Sequence, residues 1–327
     1  MKLWAVLTEP VTLRLARRAA LTGISLVFAT VLIFALIQLA PGHVERLVAE
    51  QQAGGAATTK TVEAVRRELG LDKPYPERYL LWLGNSLHGD LGISFRTGHP
   101  IAPDLVDRSR HTLILLLLGT IFAGAVGVGS ALFAAARPYG LVDRTIRAFS
   151  IGAVSVPMFY LGAVLILVFG LKLGILPILG DTGPVSWILP TIALGLAPAA
   201  VVSMFARVLL EREISNPYVV TARSRGATRS RIVFRETLPN IAPQTISTLL
   251  TQVGFSMLPG TIVAETVFAW NGLGNYFLQA VLFRDFPVMQ AVLLIFVAVV
   301  IGLNLLADAL QTLADPRQRL ASNRAAG

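Results

Sequence analysis

Six apolar stretches, each near the length a helix needs to cross a hydrocarbon core, leave this chain few folds to choose from. A crossing takes about 20 helical residues. The runs fall near residues 19–40, 112–136, 146–171, 187–210, 241–262 and 288–310. They predict an all-α polytopic membrane protein with six transmembrane helices, because only helices and closed barrels satisfy every backbone group inside lipid. Composition agrees: 54% of the 327 residues are hydrophobic and 14% charged, whereas a soluble domain is nearer a quarter charged. The net charge of +9 is mostly arginine in loops and tails. There it fixes topology and meets anionic membrane lipid, so it is not a nucleic-acid signal. The chain has no cysteine, which excludes disulfides, thiolate nucleophiles and Cys-ligated metals.

Arg14, Arg17 and Arg18 precede the first run and place residues 1–18 in the cytoplasm. That run is too long for the apolar core of a cleaved signal peptide and suits a retained anchor, residues 19–42, ending at the breaker pair Pro41–Gly42. Residues 43–110 read as an extracytoplasmic insert with nearly balanced charge. Within it, residues 51–59 read as a mobile Gly/Ala-rich stretch. A helix is expected over 62–69 with Gly70 as its stop, another over 76–87 with Trp82 and leucines on one face, and a turn over 89–92. Residues 111–310 form a five-helix core. Gly119, Gly124, Gly127 and Gly129 give its first helix a small-residue packing face, and Ser155 and Pro157 interrupt its second run. The short loops on the insert side hold only Lys172 and Arg284, whereas Arg137, Arg144, Arg147, Arg207, Arg212 and the arginines of 216–240 fall on the other side. Both termini, including a tail over 311–327 with Arg317, Arg319 and Arg324, are therefore expected in the cytoplasm.

The loop over 211–240 is the most distinctive polar element of the core. Residues 216–240 carry Arg223, Arg225, Arg229, Arg231 and Arg235 against one acid, Glu236. Asn216 is positioned to cap a short helix, Pro217 suits its first position, and Gly226 can take the left-handed conformation that ends it. A second helix starts near Thr228 and meets a boundary or kink at Pro239. Two readings fit these residues: a solvated basic loop, which the positive-inside bias makes common, or a rigid knob that fits a partner's groove.

Catalytic signatures are absent. There is no phosphate loop, no Gly-Lys pair, no H-E-x-x-H and no G-x-S-x-G. His43, His88, His99 and His111 lie in or beside the insert at spacings that suit no standard metal site. Polar residues on or near spans are few; Ser155, Gln252, Ser256, Asn304 and Asp308 are among them, and fit either interhelical hydrogen bonding or the lining of a path. Glu265 follows an apolar run and precedes an aromatic, Gly-rich segment. Pairing with Arg284, closing an outer gate, and capping a helix end at the surface all remain open for it.

The basic loop resembles the ATPase-docking motif of ABC-importer permeases, E-A-A-x-x-x-G-x9-I-x-L-P. Val220, Thr221 and Ala222 stand at its first three positions, Gly226 at the glycine, and Glu236, Thr237, Leu238 and Pro239 at its end. Residues 218–226, YVVTARSRG, are closer still to the Y-V-x-T-A-R-x-K-G form of the dipeptide/oligopeptide/nickel branch. LGLDKP at 69–74, GDLGIS at 89–94 and ETVFAWNGLG at 265–274 agree with that branch, with Asn271 where proline is usual. The insert resembles that of the first of the branch's two permeases.

The resemblance implies a type I ABC importer permease bundle in the bacterial inner membrane. It implies a sibling permease as heterodimer partner, two ATP-binding subunits, and an extracytoplasmic substrate-binding protein. The chain itself would bind no cofactor and no metal; ATP and magnesium would sit in the partner subunits. ATPase docking is assigned to Tyr218, Val219, Thr221, Ala222, Arg223, Arg225, Gly226, Arg235, Leu238 and Pro239. Ser155, Met158, Gln252, Ser256 and Met257 are assigned to a translocation path for di- or oligopeptides, and Glu265, Trp270, Gly272 and Gly274 to an outer gate. Nickel, haem or another small solute are alternative cargoes. A stand-alone secondary transporter would need coupling charges deep in the spans, and an intramembrane enzyme would need the motifs that are missing.

Overall fold

The computed structural model describes residues 11–38, 44–53, 55–68, 70–136 and 138–314, and every regular element among them is helical. Pro41–Gly42, Arg137 and the tail arginines lie outside the described residues. Twelve helices are numbered here in chain order: α1 Val11–Gln38, α2 Val44–Ala53, α3 Thr59–Glu68, α4 Tyr75–Leu87, α5 Ile101–Ala136 and α6 Leu141–Ser155 come first. Then come α7 Met158–Lys172, α8 Ile188–Ile214, α9 Pro217–Ser224, α10 Arg229–Val267, α11 Leu273–Leu282 and α12 Phe286–Ala314.

Helices α5, α8, α10 and α12 are each long and apolar enough to span a membrane. The third expected span is broken: α6 and α7 meet the length requirement only together and are bent by 105°. The break falls at Val156 and Pro157, both extended, because a residue before proline is pushed out of the helical region. The described apolar part of α1, Ala20–Ala35, is shorter than a whole span.

Helix α8 is the axis of the bundle. Of its most apolar stretch 56% is buried, against 33% in each of the other three whole spans. It packs most extensively on α5, then on α10 and then on α6. Glycines set the closest crossing. A Cβ on Gly119 would meet the Met257 methyl at 2.5 Å, one on Gly127 the Ala199 carbonyl at 2.7 Å, and one on Gly195 the Phe122 ring at 2.7 Å. Small residues let backbones approach this closely where lipid supplies no hydrophobic drive between helices. Gly129 does not belong to that face, since nothing lies within 4 Å of its Cβ position.

Several element boundaries differ from the sequence-based expectation. The helix expected from residue 112 starts at Ile101, so the last ten residues assigned to the insert are its first turns. Residues 51–53 end α2 and Thr59 starts α3. Gly70 has φ +61° just past α3, as its role as a stop requires. On α4, Trp82 and Tyr79 lean on Phe34 of α1 with ring centroids 5.9 and 5.6 Å away, while Leu80, Leu81 and Leu87 are exposed.

Pro239 does not end a helix either. The backbone widens to a π-helical stretch at Ile232–Thr237 and α10 runs on through the proline. A second widening, Val253–Met257, precedes Pro259. A proline removes one donor and crowds the carbonyl four residues back. Widening the preceding turn accommodates that without breaking the span.

Candidate functional site

The basic loop folds as a knob strapped to two spans. Pro217 opens α9, and Asn216 precedes it in extended conformation. The expected Asn216 side-chain cap is absent: its carbonyl, not its amide, takes the Val219 N–H at 3.0 Å. The other end is a Schellman motif. Gly226 at φ +82° donates its N–H to Arg223 O at 3.0 Å, and Ala227 donates to Ala222 O at 3.1 Å. Thr228 then caps the start of α10, its hydroxyl accepting from the Arg231 N–H at 3.3 Å.

Within the knob, Val219 is fully buried, and Ala222 and Leu238 partly so. Val220, Thr221, Arg223, Arg225, Gly226, Arg235 and Pro239 are exposed. The Tyr218 hydroxyl donates to Glu213 Oε1 at 2.8 Å on α8, and Asn240 Nδ2 on α10 donates to that hydroxyl at 3.0 Å and to Glu213 at 3.2 Å. Burial, then the Glu213 hydrogen bond, pushes the Tyr218 phenol up to about 12. The Arg229 Nε reaches the Ala135 carbonyl on α5 at 3.3 Å. Glu213 and Asn240 were not among the residues singled out from sequence. Each is a common polar residue at a helix end, and only the fold brings them to Tyr218.

The residues assigned to a path divide. Ser155, on the last turn of α6, is exposed beside the break, its hydroxyl donating to Ile151 O at 2.8 Å. Ser256 is exposed and Gln252 half-buried on α10, with Phe255 between them 85% exposed. Met158 at the start of α7 is half-buried, its methyl 3.4 Å from where a Cβ on Gly260 would stand. Met257 is a correction. It is fully buried in the main core against Gly119 and lines no surface of this chain. A residue next to Ser256 on a helix points about 100° away from it, and here that direction leads inward.

For Glu265 two of the three readings fall: it is neither a surface acid nor a partner of Arg284, but is fully buried near the end of α10. Its Oε1 accepts from the Thr112 hydroxyl at 2.6 Å and its Oε2 from the Asn275 N–H at 2.9 Å. The Thr112 hydroxyl in turn accepts from the Leu273 N–H at 2.8 Å. Trp270 is fully buried, its backbone N–H on Glu265 O at 2.7 Å and its indole N–H on His111 O at 3.2 Å. A Cβ on Gly272 would stand 2.5 Å from Thr112 Oγ1, and one on Gly274 2.6 Å from Ile262 N. Only glycine permits this closeness of α11 to α10 and α5. The Asn271 turn is held by side chains: Arg108 donates to Asn271 Oδ1 at 2.6 Å and lies 4.4 Å above the Tyr276 ring. Asp285, also buried, accepts from the Ser94 hydroxyl and from the N–H groups of Phe95 and Arg96. The GDLGIS turn is thereby tied to the start of α12. This end of the bundle is a closed, hydrogen-bonded cap, and no cluster of metal-ligating side chains occurs among the described residues.

The chain matches the family model described as "Binding-protein-dependent transport system inner membrane component" over residues 127–320, and its N-terminal companion over residues 12–116. It is 34% identical over 295 residues to the glutathione transport system permease protein GsiC of Escherichia coli O6:H1, covering 90% of this chain and 95% of the relative. The same protein of Shigella dysenteriae serotype 1 matches to the same extent. A solved chain of the methionine ABC transporter MetNI, in an inward-facing conformation, is 18% identical with a TM-score of 0.45, covering 66% of this chain and 95% of that one. The chain belongs to the family of inner-membrane components of binding-protein-dependent transport systems, the permeases of ABC importers, which work with ATPase and substrate-binding subunits.

Proposed function

We propose that this chain forms half of the translocation path of an ATP-driven importer of small peptides, the other half coming from a sibling permease. In this reading the exposed residues of α9 and its surroundings seat in a groove of an ATPase subunit. Two such subunits hydrolyse ATP, and the chain itself binds neither nucleotide nor metal. Both termini and α9 face the cytoplasm, and the Glu265 cap faces the side from which a binding protein delivers cargo. Ser155, Gln252 and Ser256 are polar without charge and suit passage of peptides that differ in side chain. The GsiC relatives, named for glutathione transport, make a short peptide the first cargo to test.

The observation that carries the reading is α9 itself. A solvated basic loop needs no Schellman stop, no buried Val219 and no Glu213–Tyr218–Asn240 strap. A lever needs all three, because a load applied to a flexible loop is not passed on.

The test is Gly226→Asp. The space beside Gly226 is open, so within this chain the cost is the backbone alone, about 1–2 kcal/mol for a side chain held at positive φ. The chain should still fold and insert, while co-purified ATPase subunits and ATP-driven uptake of labelled glutathione fall together. Parent-like amounts of both would overturn the docking role.

A further inference from the structure

A buried acid at the basic-loop end has no place in the scheme above. Asp143 lies in the first turn of α6 and is fully buried. Its Oδ2 accepts from the Tyr139 N–H at 3.0 Å, from Arg147 Nη2 at 3.3 Å on its own helix, and from Arg207 Nη2 at 2.9 Å on α8. Arg207, its side chain 13% exposed, also donates to Glu211 Oε1 at 2.7 Å. Tyr139 holds the approach to α6 in a left-handed conformation, φ 62°. Among the described residues, Asp143 Oδ1 and Arg207 Nε are buried and find no hydrogen-bond partner.

A carboxylate and a guanidinium taken out of water and left partly unsatisfied add little net stability. Apolar side chains of the same volume often serve a core better. What such a pair does supply is a fixed geometry between two elements that otherwise meet through apolar surfaces able to slide. Its position gives that geometry a use. Glu213, which anchors Tyr218 of α9, lies on α8 less than two turns beyond Arg207. Asp143 grips α6, whose other end is the break at Val156–Pro157. Beyond the break, α7 packs on the opposite end of α8, where Leu165 shares a buried cluster with Leu189 and Ala193, and on the far end of α10, where a Cβ on Gly162 would meet Val267 at 3.0 Å and Met158 packs under Gly260. The start of α6 is thus fixed at the knob end of α8, while α7 is held at the other end of α8 and by the end of α10.

We propose that Asp143 is a positioning residue that clamps α6 to α8 through Arg207, so that movement of α9 is delivered to the inner half of the broken span and taken up at Val156–Pro157. This rests on the docking role of α9 proposed above, and it assigns the coupling to a residue outside the docking motif and outside the path.

The absence of cysteine makes a direct test straightforward. Leu141 and Arg212 are both exposed, as is Leu282 at the opposite end. Spin labels are placed at 141 and 212, or at 141 and 282, in the assembled complex with its other subunits free of cysteine. Distances are measured without nucleotide and with ATP trapped. In the parent complex the 141–212 distance should stay fixed while the 141–282 distance shifts. In Asp143→Asn the 141–212 distribution should broaden, ATP hydrolysis should persist, and labelled glutathione taken up per ATP should fall several-fold. Arg207→Lys and Arg207→Gln form an independent pair, with Lys expected to keep uptake per ATP and Gln to lose it. A parent 141–212 distance that changes with ATP, parent-like behaviour of Asp143→Asn, or equal values for the two Arg207 variants would each overturn the clamp alone. Failure of the parent chain to capture any ATPase subunit would overturn the docking reading and, with it, this one.

Discussion

Replacing Thr112 with valine keeps the shape of a side chain that is 2% exposed and removes only its hydroxyl. That hydroxyl has two jobs: it donates to Glu265 Oε1 at 2.6 Å and accepts from the Leu273 N–H at 2.8 Å. Loss of the first bond should cost about 1–3 kcal/mol, the range for hydrogen bonds reaching up to charged groups. Loss of the second leaves the N–H of Leu273, a residue 3% exposed, without its acceptor, at about another 1–3 kcal/mol for an orphaned buried group. The sum, about 2–6 kcal/mol, falls on the junction of α5, α10 and α11. Hydrogen exchange followed by mass spectrometry reads that junction locally. At 1.36 kcal/mol per tenfold, amides at the start of α11 should exchange from about 30-fold to roughly ten-thousand-fold faster or more in Thr112→Val. Thr112→Ser, which keeps the hydroxyl, should stay near the parent. Exchange in Thr112→Val within about threefold of the parent would correspond to well under 1 kcal/mol and refute the view that this hydroxyl holds the cap closed.

Three further outcomes follow from the same structure. Gly274→Ala forces a methyl against the backbone of Ile262 and Thr261, with contacts of 2.6–2.7 Å; it should destabilise the purified chain by about 1–3 kcal/mol in thermal unfolding, and an unchanged transition would contradict the packing described. Met257→Ala should act on stability, by about 2–5 kcal/mol for an emptied core site, and Gln252→Trp on uptake instead; the reverse assignment would restore Met257 to the path. The Tyr218 phenol is pushed up to about 12 from 10, so the folded chain favours its neutral form. The strap it makes should hold below pH 10 and weaken as pH rises toward 12. A spin label at Val220→Cys should become more mobile over that window in the parent, but already be mobile at pH 8 in Tyr218→Phe; pH-independent mobility in the parent would refute the strap.

What could be read from the sequence depended on the range of the interaction. Gly70 and Gly226 as helix stops, Pro217 as a helix start and a second helix starting near Thr228 are local matters, and each stands where its residue type requires. Pro239, read as a boundary or a kink, ends no helix: a π-turn upstream lets α10 run on through it. Pro157 was legible as an interruption, but the 105° bend depends on what α6 and α7 each pack against. Glu265 was placed correctly at the insert end, yet its burial could not be seen, since its partner Thr112 is 153 positions away. Met257 was assigned to the path together with Ser256 as part of a mostly apolar lining, but the rotation of α10 that turns Ser256 outward carries Met257 inward. Asp143 and Arg207 gave no signal at all: an acid in a first helical turn and an arginine near a span end are ordinary residues until 64 positions of chain bring them to 2.9 Å.

The central claim is that a separate ATP-hydrolysing subunit, gripping α9, moves a bundle with no energy source of its own. Vesicles carrying this chain and its sibling permease, with the binding protein supplied on the side of the Glu265 cap, measure it directly. Labelled glutathione should accumulate only when both ATPase subunits and ATP are present, and should not accumulate when the ATPase subunits are left out. Accumulation by the two membrane chains alone would contradict the account.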